Sequence, residues 1–239
     1  MTTIDSARRP TGHPAINGGR MGVLLVNLGT PAAPTAHAVR AYLEEFLSDR
    51  RVVDYPRALW LPILHGVILN ARPAKSARAY AKIWMTGGSP LRVYTEKAAV
   101  ALSQRMNEAA IVDWAMRYGA PSVRERIDTL KDRGCDRILV IPMYPQYSQS
   151  TSASVADAAF AALKGMRWQP ALRIAAPYHD RPAYIAALTQ GADAHLASLG
   201  WAPERVILSF HGTPKRHLTG GDPYFCNCSK PARLLRAAM

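Results

Sequence analysis

Cysteine is scarce in this chain, three in 239 residues. That is too few for a disulfide framework and favours a reducing compartment such as the cytosol. Long apolar runs are missing as well. The longest, Leu59–Leu69, is broken by Pro62 and His65 and falls short of the roughly 20 residues a membrane span needs. Basic residues never reach five in succession and do not alternate with aromatic ones, so a nucleic-acid groove is not expected. The phosphate-binding loops are also absent. Gly87-Gly88-Ser89-Pro90 lacks the Lys-Ser/Thr ending of a P-loop and follows no strand, and no GxGxxG fingerprint occurs. Neither does GxSxG, which leaves hydrolase chemistry unsupported. Cys226-Asn-Cys228 is too closely spaced for a zinc knuckle and has no second pair of ligands.

What is present is ordinary globular material with one outlier. Hydrophobic residues make up 49% and charged residues 20%, which excludes disordered, collagenous and coiled-coil classes. The outlier is charge: 23 Arg and 7 Lys against 17 acidic residues give +13. Because arginine meets carboxylates as a planar fork, the excess suits an anionic substrate or a membrane surface.

Residues 1–20 are polar and rich in Gly and Pro, which predicts a disordered leader without a secretion signal. Gly22–Leu28 is then a continuous apolar run, as a strand buried on both faces requires. Similar runs at Arg137–Met143, Leu172–Ala176 and Arg205–Phe210, with the more alternating Ile111–Tyr118, complete the predicted strands. Helical spacing marks Ala36–Leu47, Thr95–Asn107, Ser122–Arg133, Ser154–Lys164, Pro182–Leu199 and Cys228–Met239. Strands alternating with helices predict parallel sheets with right-handed crossovers. The order restarts near residue 145, so two α/β domains of similar plan are expected, over 21–145 and 146–239. Having only two strands, the domain over 146–239 is expected to be incomplete.

In open parallel sheets the chemistry gathers beyond the carboxyl ends of the strands. Those positions read Asn27-Leu-Gly-Thr-Pro31, Gly119-Ala-Pro-Ser122, Tyr144–Thr151 and His211-Gly-Thr-Pro214, with Gly221-Asp-Pro-Tyr224 shortly after. His211 stands out. Between Phe210 and Pro214 its ring is expected to be partly desolvated, favouring the neutral imidazole that binds a metal or accepts a proton near neutral pH.

Together these segments resemble the ferrochelatases, which insert ferrous iron into a porphyrin at the last step of haem synthesis. The resemblance runs from about residue 21 to the end. It rests on VNLGTP (26–31), FLSDRRVVDYP (46–56), GGSPL (87–91), MRYG (116–119), YPQYSQST (144–151), SFHGTP (209–214) and GDPY (221–224). It implies an α/β fold of two Rossmann-like, chelatase-type domains, each a parallel sheet flanked by helices, with the porphyrin between them. It implies that His211 binds the entering metal and helps remove pyrrole protons. Arg117, Tyr118 and Tyr147 match cleft-lining positions. Arg72, Tyr80 and Ser89 match contacts to the porphyrin edge and its propionates, Arg72 being the natural carboxylate partner. Leu28 stands where some relatives carry a tyrosine, which points to the branch that uses protoporphyrin IX.

The same resemblance implies protoporphyrin IX and Fe2+ as substrates, no organic cofactor, a cytoplasmic location with peripheral membrane contact left open, and no nucleic-acid partner. Family chains continue past this point, through a glutamate facing the histidine and the cysteines that bind an iron–sulfur cluster in some members. Neither is assignable here. The expectation is therefore a C-terminally truncated ferrochelatase with low or no chelatase activity. Two other readings stay open: an inactive porphyrin-binding remnant, and a chelatase acting on sirohydrochlorin or a cobalt corrinoid precursor.

Overall fold

The computed structural model describes residues 10–13 and 18–239. Most of the expected leader, residues 1–9 and 14–17, lies outside the described residues. The chain divides into two units.

Unit 1, residues 1–143 and 150–175, is built on a four-stranded, wholly parallel sheet in the order β2-β1-β3-β4. β1 (Arg20–Gly29) sits between β2 (Ile111–Tyr118) and β3 (Cys135–Pro142), with β4 (Ala171–Ile174) on the edge. The apolar run explains the central position. Val23, Leu24, Leu25 and Val26 are at most 4% exposed, and because successive side chains alternate, both faces of β1 must be covered. Val23 and Leu25 pack with Ala99 of α4 (Pro90–Met106), while α5 (Val123–Asp132) crosses over from β2 to β3. The start of α5 follows from its residues. Ser122 accepts the Glu125 N–H at 3.2 Å, and the Glu125 carboxylate reaches back to the Ser122 N–H, a reciprocal cap that satisfies two otherwise orphaned donors.

A second cluster joins α1 (Ala36–Ser48) to α3 (Leu69–Ile83) through Val39, Tyr42, Leu43, Leu47, Leu64, Leu69 and Ala77, with Tyr118 of β2. No helix is expected from the sequence between Leu47 and Thr95. Residues 57–83 are helical almost throughout, as α2 (Arg57–Ile63), a π-helical turn at Leu64–Ile68, and α3. Pro62 and Pro73 lie inside the helices rather than ending them. At Pro73 the carbonyl left without its helical donor, that of Leu69, is taken by Arg40 Nη1 at 2.5 Å.

Unit 2, residues 144–149 and 176–239, contains α7 (Pro182–Ser198), α8 (Lys215–Thr219) and α9 (Tyr224–Ala238). α7 packs against α9, Tyr178 and Tyr184 meet edge-on at 5.5 Å, and Lys230 pairs with Asp180. Two further expectations are corrected. The strand expected to open the second sheet is β4, which pairs with β3 from Arg137↔Ala171 to Val140↔Ile174, so helix α6 (Ser154–Lys164) and β4 belong to unit 1. Arg205–Phe210 is not a strand. Val206, Ile207, Leu208 and Phe210 are 41–88% exposed, and unit 2 holds no strand among its described residues that could take up their backbone groups. An extended apolar run becomes a strand only where a neighbour completes the ladder.

Candidate functional site

In unit 1 the carboxyl ends of β1 and β2 approach so closely that glycine is required at two points. A Cβ on Gly29, at φ +115°, would lie 1.9 Å from the Tyr118 carbonyl oxygen, and one on Gly119, at φ +84°, 2.9 Å from the Thr30 oxygen. The Gly119 N–H is pinned by the Glu45 carboxylate at 2.7 Å.

Around this junction a single carboxylate organises the residues of MRYG. Asp49 follows α1, and its Oδ2 accepts from Arg117 Nη2 (2.6 Å), Tyr118 Oη (2.7 Å) and Ser154 Oγ (2.6 Å), while Oδ1 accepts the Arg51 N–H at 2.7 Å. Arg117 Nε donates to Ser154 Oγ and to its carbonyl, and the guanidinium lies 4.4 Å from the centre of the Tyr118 ring. Burial alone would raise the Asp49 carboxyl. The hydrogen bonds from Ser154, Arg51 and Tyr118, with the Arg117 charge, outweigh it and hold the group below the ordinary carboxylate range. Burial pushes the Tyr118 hydroxyl well up. Asp49 and Arg117 also face an open depression of about 660 Å3 with Glu44, Glu45 and Arg50.

Each residue singled out in the sequence can now be placed. Arg117 and Tyr118 come together, but Tyr118 is fully buried: its ring is edge-on to Phe46 at 5.1 Å and its hydroxyl is turned to Asp49, so it lines no cleft in unit 1. Ser89 is buried too and caps α4, accepting the Arg92 N–H at 3.3 Å. Tyr80 is half-buried, edge-on to Tyr42 and to Trp84. Burial raises its hydroxyl, while the exposed Arg72 on the same helix acts in the opposite direction.

In unit 2, Tyr147 is half-buried and its N–H donates to Asn227 Oδ1 at 3.1 Å. His211 is exposed rather than desolvated, because the segment that carries it is held in no sheet. Its Nδ1 lies 2.7 Å from the Gly212 carbonyl. A carbonyl can only accept, so Nδ1 carries a proton, and in the neutral form of the ring the lone pair lies on Nε2. His211 lines a cavity of about 490 Å3 with Phe210, Tyr224, Phe225 and Cys228. Burial and the neighbouring Cys228 push the Tyr224 hydroxyl up to about 12, with the nearby His211 backbone acting in the opposite direction. Among the described residues no three His, Cys, Asp or Glu side chains converge to hold a metal ion.

Sequence reasoning overlooked Asp49, Glu45, Asp222, Tyr224 and Asn227 as participants. Asp49 and Asp222 were inside segments already singled out, FLSDRRVVDYP and GDPY, where an acid in a polar loop reads as solvated.

A wholly parallel sheet flanked by helices, glycine-tight strand ends and a histidine segment beside an aromatic-lined cavity define a chelatase-type α/β protein. The ferrochelatase family model matches residues 20–239, and the chain belongs to the ferrochelatase family. It is 53% identical over 230 residues to the ferrochelatase of Rhizobium meliloti (strain 1021), covering 95% of this chain and 68% of that protein. With the ferrochelatase of Aromatoleum aromaticum (strain DSM 19018 / LMG 30748 / EbN1) it shares 54% over 224 residues, 92% of this chain and 61% of that one. The chain thus spans about two thirds of the length of these relatives.

Proposed function

We propose that the protein inserts ferrous iron into protoporphyrin IX, releasing two protons as the metal replaces the two pyrrole N–H hydrogens and protohaem forms. The observation that carries the reading is His211: an exposed imidazole with Nδ1–H tied to the Gly212 carbonyl, which in its neutral form directs the lone pair to Nε2, where it can accept a proton or bind the entering iron. Neutral nitrogen suits both tasks, and the aromatic wall of Phe210, Tyr224 and Phe225 suits a flat apolar macrocycle.

Arg72, exposed on α3 beside Tyr80, is the propionate partner in this reading, since its planar fork matches a carboxylate. Arg117 and Tyr147 border the porphyrin. Ser89 and Tyr118, being buried, act only through their neighbours in this reading, Ser89 by fixing the first turn of α4 and Tyr118 by holding Arg117. For these 239 residues alone we propose slow insertion with porphyrin binding retained, because the His211 segment is exposed and held in no sheet.

The porphyrin is apolar, and one surface suits peripheral membrane contact. Leu59, Ile63 and Val67 are 48–66% exposed at intervals of four residues, and residues 57–83 carry Arg57, Arg72, Lys75, Arg78 and Lys82 without a single acid. That is the pattern of an interfacial helix on an anionic surface. No helix among the described residues is long and apolar enough to cross a membrane.

Titration with protoporphyrin IX, followed by fluorescence, and then anaerobic addition of Fe2+ tests the assignment. Saturable quenching followed by the absorbance of haem is expected. Binding without metallation supports an inactive porphyrin-binding protein instead, and turnover of sirohydrochlorin in preference to protoporphyrin supports the other chelatase class.

A further inference from the structure

We propose that Asp222 is a positioning residue that couples the two unit-2 segments carrying Tyr147 and His211; the part of this concerning iron insertion rests on the function proposed above. Asp222 belongs to GDPY, whose chemistry the reaction itself does not use. Its Oδ2 accepts from Ser148 Oγ at 2.9 Å and from the Gln149 N–H at 2.8 Å, while Oδ1 accepts the Tyr224 N–H at 2.9 Å. One oxygen therefore holds the loop 144–149 and the other holds the first turn of α9.

Both anchored pieces reach a proposed site residue. On the loop side, the Tyr147 N–H is fixed by Asn227, which lies one turn along α9 from Tyr224. On the helix side, Tyr224 lines the same cavity as His211, which sets the two side by side. Asp222 itself is held from behind, its N–H donating to the His217 carbonyl at 2.9 Å. A carboxylate is suited to this task because it has only acceptors to offer, and all three of its partners are donors. The His211 segment gains no support from a sheet, so this chain of contacts through Tyr224 sets where the imidazole stands.

Amide hydrogen exchange of the 239-residue protein, read residue by residue, tests the coupling without requiring turnover. In Asp222→Ala the Gln149 and Tyr224 amides exchange faster by about tenfold, as loss of one charge-assisted hydrogen bond implies, and the His211 amide accelerates with them. Ile111 and Val112 in β2 stay unchanged. Tyr224→Ala, which removes the side chain beside His211 but keeps the backbone N–H held by Asp222, accelerates the His211 amide and leaves Gln149 as it was. Asp222→Asn, which keeps one acceptor oxygen, gives intermediate rates. If the His211 amide is unmoved in Asp222→Ala while Gln149 accelerates, Asp222 merely anchors its own loop and the proposal fails.

Single-turnover metallation adds a readout that a general loss of folding would not give. Asp222→Ala should lower the rate at saturating protoporphyrin at least tenfold, beyond any change in half-saturating porphyrin that the freed Tyr147 loop brings, and Asp222→Asn should recover part of that rate. Equal rates in Asp222→Ala and parent, with His211→Ala inactive, overturn the positioning role alone. Equal rates in His211→Ala and parent overturn the proposed function, while the exchange result still decides the coupling.

Discussion

Asp49→Ala is the perturbation whose cost the structure specifies most fully. The change deletes the acceptor shared by Arg117, Tyr118 and Ser154 while leaving all three donors in place. Arg117 and Asp49 side chains are only 18% and 12% exposed, so the substitution strands a largely buried cation. Breaking such a pair from one side costs about 3–5 kcal/mol. The two hydroxyls can still face each other across 2.9 Å, and water can take the Arg51 N–H, so these add little. A net loss of about 4 kcal/mol corresponds to a fall in Tm of roughly 10–15 °C for a unit of this size, readable by circular dichroism. Asp49→Asn keeps one acceptor but removes the charge and should cost about half as much.

The pH dependence supplies a second check on the same variant. The folded-state carboxyl is held below its ordinary value, so its contribution is complete above the unfolded-state pKa of about 4 and disappears as pH falls through the lower folded value. The stability gap between parent and Asp49→Ala should therefore be widest near neutral pH and close on acidification. A gap under about 1 kcal/mol at neutral pH, or one that widens in acid, would refute the reasoning.

Two other outcomes follow from geometry. Gly29→Ala places a methyl group 1.9 Å from the Tyr118 carbonyl at a φ of +115° and should cost about 3 kcal/mol or more, seen as a lower urea midpoint with m unchanged. Replacing Leu59, Ile63 and Val67 together by Ser should abolish co-sedimentation with anionic vesicles while the thermal midpoint holds; retained binding would place the membrane surface elsewhere.

The sequence made the central sheet of unit 1 legible because buried parallel strands announce themselves locally. Val23 to Val26 need no context to read as a doubly covered strand, and the period of Ile111–Tyr118 reproduces β2. Arg205–Phe210 has the same apolar signature, yet strand formation depends on a partner elsewhere in the chain, which no local pattern reveals. Pro62 interrupts the apolar run Leu59–Leu69, and the helices over 57–83 go unassigned in the sequence. Whether a helix carries on through a proline is decided by packing, here by the burial of Leu64 and Leu69. For the site, motif residues such as His211 and Arg117 were legible as chemistry. Their burial was not: Tyr118 could be placed at a strand end but not recognised as wholly enclosed. Asp49 and Asp222 drew no notice because a carboxylate shows its importance only through the donors that converge on it, and those come from residues up to 105 positions away.

The most direct test of the central claim is single-turnover insertion of Fe2+ into protoporphyrin IX, under anaerobic conditions, by the parent and by His211→Ala. The account predicts that the variant still quenches porphyrin fluorescence at a similar concentration but forms haem at least a hundredfold more slowly, the size of effect expected when a general base is lost, about 10²–10⁴. Haem formation at the parent rate in His211→Ala would contradict it.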